Sequence, residues 1–262
     1  MLSTLANNKS KQNNNAQQVL SWRSSAKTHV GMVRKINEDA IFSNNEIAIW
    51  AVADGMGGHE AGEVASQMIV HAMENLQSSD RLSYFIEYVD HELQKVNRRI
   101  QQHSDMILGG QTLGSTVVAL IIRGRVGFCL WAGDSRLYQY RAGKLQRLSN
   151  DHSKVQELVE QGVLLPEEAS HHPESNVITR AVGAFSDLYL DNCVFEVKPD
   201  DTFLLCSDGL YNSVSDEEMT GLLNHTDAEQ CAQDLIDHAL ANNANDNVSA
   251  IVVRADSHKA RS

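Results

Sequence analysis

Aspartates at the ends of apolar runs are the residues whose types and spacing could do chemistry. Asp54 follows IAIWAVA, Asp134 follows GFCLWAG and Asp208 follows TFLLCS, and each run is typical of a strand. Asp246 opens the strand-like run VSAIVV, and Asp39 precedes a shorter apolar stretch. A single aspartate at a strand end is an ordinary turn residue. Four at strand ends, beside Gly or Asn, indicate strand ends that meet at one edge of a core.

Carboxylates gathered at one edge would repel one another and raise each other's pKa. No lysine or arginine is adjacent in sequence to Asp54, Asp208 or Asp246, so a cation from solution would balance the charge. Ligands that are all oxygen favour Mg²⁺ or Mn²⁺ over zinc. The backbone carbonyl of Gly55 would be open to serve as a further oxygen ligand. The pattern therefore predicts a divalent metal site.

Such a site could hydrolyse phosphate esters without a nucleophilic side chain. Two cations roughly 3.5–4 Å apart lower the pKa of a bridging water and present hydroxide for in-line attack on phosphorus. The sequence has no P-loop, no G-x-S-x-G and no cysteine followed six positions later by arginine. The glycines of Gly55–Gly58 lack the third glycine of a dinucleotide fingerprint, so we interpret them as close backbone approach to a ligand or metal.

The composition favours one soluble domain in a reducing compartment. The 262 residues carry a net charge of -12, which repels nucleic acid and anionic lipid, and no apolar run is long enough to span a membrane. The four cysteines have no close pair in sequence, and three of them lie in apolar runs where a free thiol packs as a small hydrophobe. An Asn- and Gln-rich start predicts a disordered polar tail over 1–21, followed by a single domain over 22–256.

Helical and strand patterns alternate in a way that favours an α+β fold. Apolar stripes predict helices over Ala61–Leu76 and Phe85–Ile100, with a weaker helix at Thr226–Leu240. Runs rich in β-branched and aromatic residues predict strands at Glu46–Ala53, Gly114–Ile122, Val126–Ala132, Ser135–Arg141, Asp201–Cys206 and Val248–Arg254. Short connections favour antiparallel pairing, which predicts a two-layer or four-layer sandwich. Residues 162–176, which we call the flap, have no period and predict a functional or mobile loop.

Eight motifs occur in the order found in one enzyme family: Arg34–Asp39, Asp54–His59, Gly114–Thr116, Gly133–Arg136, Asp151–Ser153, Ile178–Gly183, Ser207–Gly209 and Asp246–Ser249. Together they resemble the metal-dependent protein phosphatases of the 2C type, over nearly the whole chain. The Asp54–His59 motif and the compact length resemble the bacterial serine/threonine phosphatases. The resemblance implies a four-layer αββα sandwich, in which two central antiparallel β-sheets are flanked by helix pairs.

The resemblance also implies a set of metal ligands. Asp54 would bridge two Mg²⁺ or Mn²⁺ ions. Asp208 and Asp246 would complete the first site, and the carbonyl of Gly55 would help to hold the second ion. Asp134 would share a third, weaker ion with Asp208, as in bacterial relatives.

Further residues would act on water, phosphate or protons. By the same resemblance, Glu38 and Asp39 would act mostly through metal-bound waters. Arg34 would bind the substrate phosphate, because a guanidinium can donate hydrogen bonds to two phosphate oxygens at once. Animal members often have a histidine directly after the Asp-Gly pair, where this chain has Met56. His59 is our substitute candidate for the general acid, and a metal-bound water is the alternative donor. We count Arg34, Asp39 and His59 as catalytic.

Three other groups of residues are expected to have structural rather than catalytic roles. The pair His171–His172 lies in the flap and lacks further ligands at metal spacing. Arg136 and Arg180 are expected to pair with acidic neighbours. Asp151–Ser153 cannot form a hydrolase triad because contiguous residues cannot reach the required positions, and we expect Asp151 to support or cap the next helix.

The sequence thus predicts a cytoplasmic, monomeric serine/threonine phosphoprotein phosphatase. Its partners would be phosphoserine and phosphothreonine proteins, including a eukaryotic-like bacterial kinase and the substrates of that kinase. Neither nucleic acid nor membrane is an expected partner. Three alternatives stay open at this point. They are an inactive phosphoprotein-binding relative, a small-molecule phosphohydrolase with a more enclosed pocket, and a structural domain rich in Asp turns.

Overall fold

Two antiparallel β-sheets lie at the centre of the computed structural model, which describes residues 18–57, 61–79, 81–107 and 113–259. The strands are β1 Gln18–His29, β2 Asp39–Asn44, β3 Ile49–Met56, β4 Gly114–Ser115, β5 Val117–Arg123, β6 Val126–Ala132, β7 Arg136–Arg141, β8 Lys144–Arg147, β9 Asp191–Glu196, β10 Thr202–Cys206 and β11 Val248–Lys259. One sheet has the order β1-β11-β10-β7-β8, and the other has the order β2-β3-β5-β6-β9, with β4 paired to β3.

Helices cover the outer faces of both sheets. They are α1 Ala61–Glu74, α2 Leu82–Ile107, α3 Lys154–Glu160, α4 Asp208–Tyr211, α5 Asp216–Leu222 and α6 Ala228–Ala241, with a 3-10 helix at Pro166–His171. The side chains of α1 and α2 form one apolar cluster with the sheet that contains β5. Those of α4, α5 and α6 form a second cluster with the sheet that contains β10.

A third apolar cluster lies between the two sheets and contains Trp50, Leu120, Phe203 and Ile251, all fully buried. Side chains alternate along β5, so that Leu120 points to the other sheet while its neighbour Ala119 points to α1 and α2. Because both faces of the central strands are covered, these strands read as continuous apolar runs. The three clusters separate four layers, and the predicted αββα sandwich is confirmed.

Three strands lack a clear signal in the sequence: β1, β2 and β9. Each is the first or last strand of its sheet, where one side of the backbone has no neighbouring strand and the apolar pattern is mixed. Because β1 begins at Gln18, the predicted tail over 1–21 is too long: residues 18–21 pair with β11. Strand β11 continues to Lys259, beyond the expected end of the domain at 256. Residues 1–17 lie outside the described part of the chain, and the single-domain division stays a prediction.

The flap, residues 162–176, contains the short 3-10 helix that the sequence pattern does not indicate. Pro166 and two acidic residues begin this helix, and Glu168 accepts a hydrogen bond from the backbone of Leu165. Within the described ranges, none of the helices combines the length and the apolar character that a bilayer-spanning segment needs.

Candidate metal centre and active site

The ends of β2 and β3 bring two predicted site residues together. Asp39 begins β2, Asp54 lies near the end of β3, and the two residues are direct partners in the antiparallel register. Asp39 is buried, and Asp54 is partly buried. The backbone N–H of Asp54 donates to the hydroxyl oxygen of Thr116 at 3.0 Å, and Thr116 donates its own N–H to the Asp54 carbonyl at 2.8 Å. Thr116 therefore fixes the backbone on both sides of Asp54.

The other sheet contributes Asp208 and Asp246. Asp208 follows β10 and opens α4, and Asp246 precedes β11, which pairs with β10. Two serines join this edge to β2: Ser207 donates to Asp39 Oδ2 at 2.6 Å, and Ser249 donates to the same oxygen at 2.7 Å. The hydroxyls hold the Asp39 carboxylate where the two sheets meet.

Asp134 reaches the cluster from the turn after β6. Its neighbour Gly133 has a φ of 107°, and a Cβ there would lie 2.6 Å from the Thr116 side chain, so the turn requires glycine. The Thr116 hydroxyl is also 2.7 Å from the Ser135 hydroxyl. Thr116 thus links the Asp54 strand to the Asp134 turn. No local sequence signal predicts a role for Thr116, Ser135, Ser207 or Ser249, although all four lie inside the eight motifs.

The carboxylates of this cluster raise one another's pKa. Burial, followed by repulsion from neighbouring carboxylates, raises the pKa of Asp54 well above its ordinary value and that of Asp208 to about 7. The same two causes raise the pKa of Asp134 to about 7. Burial raises the pKa of Asp39 to about 6, although the Ser207 and Ser249 hydroxyls oppose the shift. Four carboxylates that raise one another's pKa lie close together, as the expected crowding of negative charge requires.

Glu38 and Gly55 lie at the beginning of α1. A carboxylate oxygen of Glu38 accepts the backbone N–H of Gly62 at 3.1 Å, in the first turn of the helix, where anions are favoured. The Glu38 carbonyl accepts the N–H of Gly55 at 3.1 Å. A Cβ on Gly55 would lie 2.1 Å from the Gly62 carbonyl oxygen, which leaves no room for a side chain. The loop and the helix therefore approach at backbone contact.

Arg34 lies beside the carboxylates, although the sequence places no basic residue next to Asp246. Its Nη2 donates to Asp246 Oδ2 at 2.7 Å, and half of the Arg34 side chain is exposed, at 51%. The other carboxylate oxygen of Asp246 accepts the N–H of Asn247 at 2.9 Å. One positive group thus already offsets part of the negative charge. Arg34 is distant from Asp246 in sequence, so adjacency in sequence does not indicate this pairing.

The donor set has a mixed fit to divalent cations. Asp39 Oδ1 and Asp134 Oδ1 are buried, and neither has a hydrogen-bond partner among the described residues. Every candidate ligand is an oxygen, which suits Mg²⁺ or Mn²⁺. As placed, however, no three His, Cys, Asp or Glu residues of the described ranges form a set that could hold a metal ion. The mutual repulsion of the carboxylates and the two unpartnered oxygens nevertheless favour a bound cation, because a divalent cation draws together carboxylates that otherwise repel.

His59 lies outside the described residues, as do Gly58 and Glu60. Of the motif Asp54–His59, the structure therefore describes only 54–57.

The Asp151–Ser153 motif supports the Asp134 turn. Nδ1 of His152 accepts the N–H of Gly133 at 3.2 Å, while Nε2 lies 3.1 Å from Asp191 Oδ2. Ser153, not Asp151, is the N-cap of α3, so of the two roles expected for Asp151 the capping role is wrong. Asp151 instead forms a bidentate ion pair with Arg136.

Two further expectations concern the flap and its surroundings. Arg180 pairs with Asp191 at 2.8 Å, which confirms that this arginine has an acidic partner. Nδ1 of His172 accepts the N–H of Glu174 at 3.2 Å, a contact within the flap, and the side chain of His171 lies outside the described residues.

Comparison with known proteins gives a consistent result. The family model described as Protein phosphatase 2C matches residues 31–251. The serine/threonine protein phosphatase PstP of Mycobacterium tuberculosis is 34% identical over 237 residues, which cover 90% of this chain but 46% of that protein. The chain therefore spans about half the length of this relative.

Two solved structures share the fold over nearly their full length. PppA, described as a key regulatory component of T6SS in Pseudomonas aeruginosa, is 43% identical with a TM-score of 0.84, and the match covers 91% of this chain and 99% of that one. The catalytic domain of PstP in complex with 2 manganese ions is 33% identical with a TM-score of 0.80 and coverages of 90% and 99%.

Proposed function

Because this chain belongs to the protein phosphatase 2C family, we propose that it is a serine/threonine phosphoprotein phosphatase that depends on Mg²⁺ or Mn²⁺. One observation carries the proposal: four aspartates lie close enough to Asp54 to raise its pKa, namely Asp39, Asp134, Asp208 and Asp246. Buried carboxylates at such density cost folding energy, and they are retained where they perform a task.

Asp54, Asp208 and Asp246 would hold the first ion, and Asp54 with the Gly55 carbonyl would hold the second. Asp134 would serve a third, weaker ion together with Asp208. Bound cations of this kind supply positive charge for phosphate oxygens and a nucleophilic water at neutral pH. The two-manganese complex of the PstP catalytic domain supports this assignment.

Side chains of the chain itself would position the substrate. Arg34 is half exposed beside Asp246, and its remaining guanidinium N–H groups can donate to phosphate oxygens. Asp39 and Glu38 would orient water at the cluster, since Asp39 Oδ1 is buried without a protein partner among the described residues. His59 would donate a proton to the leaving serine or threonine oxygen.

The substrates would be phosphoserine and phosphothreonine proteins, among them a eukaryotic-like kinase and its targets, encountered by a monomeric enzyme in the cytoplasm. The similarity to PppA and PstP supports a regulatory role of this kind.

The proposal is tested by assaying the purified protein with a phosphothreonine peptide and with p-nitrophenyl phosphate. Both activities should require Mn²⁺ or Mg²⁺ and disappear in excess chelator. The Asp208→Asn variant should be inactive yet folded, whereas the control Asp105→Asn, at an exposed end of α2, should be fully active. Full activity of Asp208→Asn would refute the ligand assignment, and hydrolysis of small phosphate esters but no phosphopeptide would favour a small-molecule phosphohydrolase.

A further inference from the structure

Two cysteines that are far apart in sequence lie directly opposite each other in the structure. Cys129 on β6 and Cys193 on β9 are register partners in an antiparallel pair. Directly opposed residues of such strands have Cα atoms about 4.5–5.5 Å apart. A disulfide requires a Cα separation of about 4.4–6.8 Å, so the backbone can accommodate the bond without a change of register.

The two side chains also point to the same face. Cys129 belongs to the buried cluster between the sheets, and Cys193 packs against that cluster from the side. Each thiol donates to a backbone carbonyl oxygen, Cys129 to Leu130 at 4.0 Å and Cys193 to Leu148 at 3.5 Å. All four cysteines are free, but the sequence pattern does not indicate that these two are cross-strand partners.

The environments of the two thiols differ in a way that suits stepwise oxidation. Cys129 is fully buried, whereas Cys193 is only partly buried on the last strand of its sheet. Burial raises the pKa of Cys129, and the neighbouring Cys129 thiol lowers the pKa of Cys193. The thiolate is the reactive form of cysteine, so Cys193 would react first and Cys129 would resolve the product.

We infer that Cys129 and Cys193 form a redox-active dithiol that a peroxide converts to a disulfide. The Cys193 thiolate attacks one peroxide oxygen, the O–O bond breaks, and the second oxygen leaves as water after it takes up a proton. Sulfur is thereby oxidised to a sulfenic acid while the peroxide is reduced. The Cys129 sulfur then attacks the Cys193 sulfur, an S–S bond forms, the S–O bond breaks, and a second water leaves.

The crosslink would join two strands that support the candidate active site. Strand β6 leads into the turn of Asp134, and β9 begins at Asp191, which binds both His152 and Arg180. A disulfide would hold the outer strand β9 against β6. A thiol pair of this kind in a reducing compartment is typically transient and regulatory rather than structural.

Cys206 and Cys231 provide an internal control. Both are buried in the cluster beneath α5 and α6, and neither is the register partner of another cysteine in the described sheets. We expect them to stay reduced while the protein is folded.

The experiment treats the folded, full-length protein with a small excess of hydrogen peroxide and maps its peptides by mass spectrometry after thiol blocking. The expected product is one Cys129–Cys193 disulfide, a mass lower by about 2 Da, and a midpoint of thermal unfolding higher by about 5 °C, all reversed by dithiothreitol. In the Cys129→Ala variant, Cys193 should stop at a sulfenic acid that dimedone traps. In the Cys206→Ala variant, the disulfide should form as in the parent protein.

Peptide mapping of the parent protein needs no variant, so misfolding of a mutant cannot obscure the result. If Cys193 stays reduced, stops at sulfinic acid without crosslinking, or pairs with Cys206 or Cys231, the inference is overturned. The outcome is independent of whether the protein is a phosphatase, because the readout is the covalent state of the cysteines.

Discussion

Asp39 and Asp54 lie directly opposite each other on the antiparallel strands β2 and β3, so that two carboxylates occupy one cross-strand pair. Like charges in this position destabilise a sheet. The pair is further crowded by Asp208, whose negative charge also raises the pKa of Asp54. Burying like charges this close together costs folding energy unless a cation offsets them, so the arrangement has measurable consequences for stability.

Removing one of these charges should stabilise the metal-free protein while it abolishes activity. We expect Asp54→Asn to raise the free energy of unfolding in chelator by about 1 kcal/mol or more, because the amide relieves repulsion from Asp39 and Asp208. The same change should lower kcat/KM by at least about 100-fold. Denaturant unfolding at neutral pH and a phosphopeptide assay measure the two effects. A variant less stable than its parent in chelator would contradict this explanation.

The metal-free protein should also lose stability as the pH rises. The pKa of Asp39 is raised to about 6 and those of Asp134 and Asp208 to about 7, whereas an unfolded aspartate titrates near about 3.9. A pKa raised on folding means that the native state holds its protons more tightly. The resulting stability is fully present below about pH 4 and is lost as the pH approaches 7.

Divalent cations should therefore stabilise the protein more at high pH than at low pH. We expect Mn²⁺ to raise the midpoint of thermal unfolding by about 5 °C more at about pH 8 than at about pH 5. Thermal melts with Mn²⁺ and with chelator at both pH values provide the comparison. An equal gain at both would mean that the carboxylate cluster does not bind the cation.

The sequence predicts the central strands well and the outer strands poorly, for a physical reason. The runs before Asp54 and Asp208 are covered on both faces, so burial leaves a continuous apolar signal. The contacts of Asp39 with Ser207 and Ser249 depend on how the two sheets pack against each other. A local sequence pattern cannot predict this packing. The pairing of Cys129 with Cys193 likewise depends on strand register.

Ser207 and Ser249 are expected to tune metal affinity through Asp39. Their hydroxyls donate to one oxygen of Asp39 and leave the other oxygen unpartnered among the described residues, so both orient this carboxylate. The double change Ser207→Ala and Ser249→Ala should weaken Mn²⁺ binding by about 10-fold, as measured by isothermal titration calorimetry. Ser257→Ala, at an exposed position of the same strand β11, is the control. An unchanged Mn²⁺ affinity would limit the serines to a role in folding.

Arg34 should contribute to substrate binding rather than to metal binding. Removal of its guanidinium in Arg34→Ala should lower kcat/KM by about 100-fold, since charge-assisted hydrogen bonds to phosphate are lost. Affinity for Mn²⁺ should be unchanged or tighter, because Asp246 loses a competing partner. The neighbouring exposed Lys35→Ala is a matched control. Loss of Mn²⁺ affinity in Arg34→Ala would show instead that the ion pair organises the metal site.

His59 provides the sharpest test of proton donation. A serine or threonine leaving group needs a proton, whereas p-nitrophenolate leaves without one. We expect His59→Ala to slow phosphopeptide cleavage by about 100-fold and p-nitrophenyl phosphate cleavage by less than about 5-fold. His71→Ala, at an exposed position of α1, should affect neither substrate. Equal effects of His59→Ala on both substrates would exclude His59 as the donor and leave water held at the carboxylate cluster in that role.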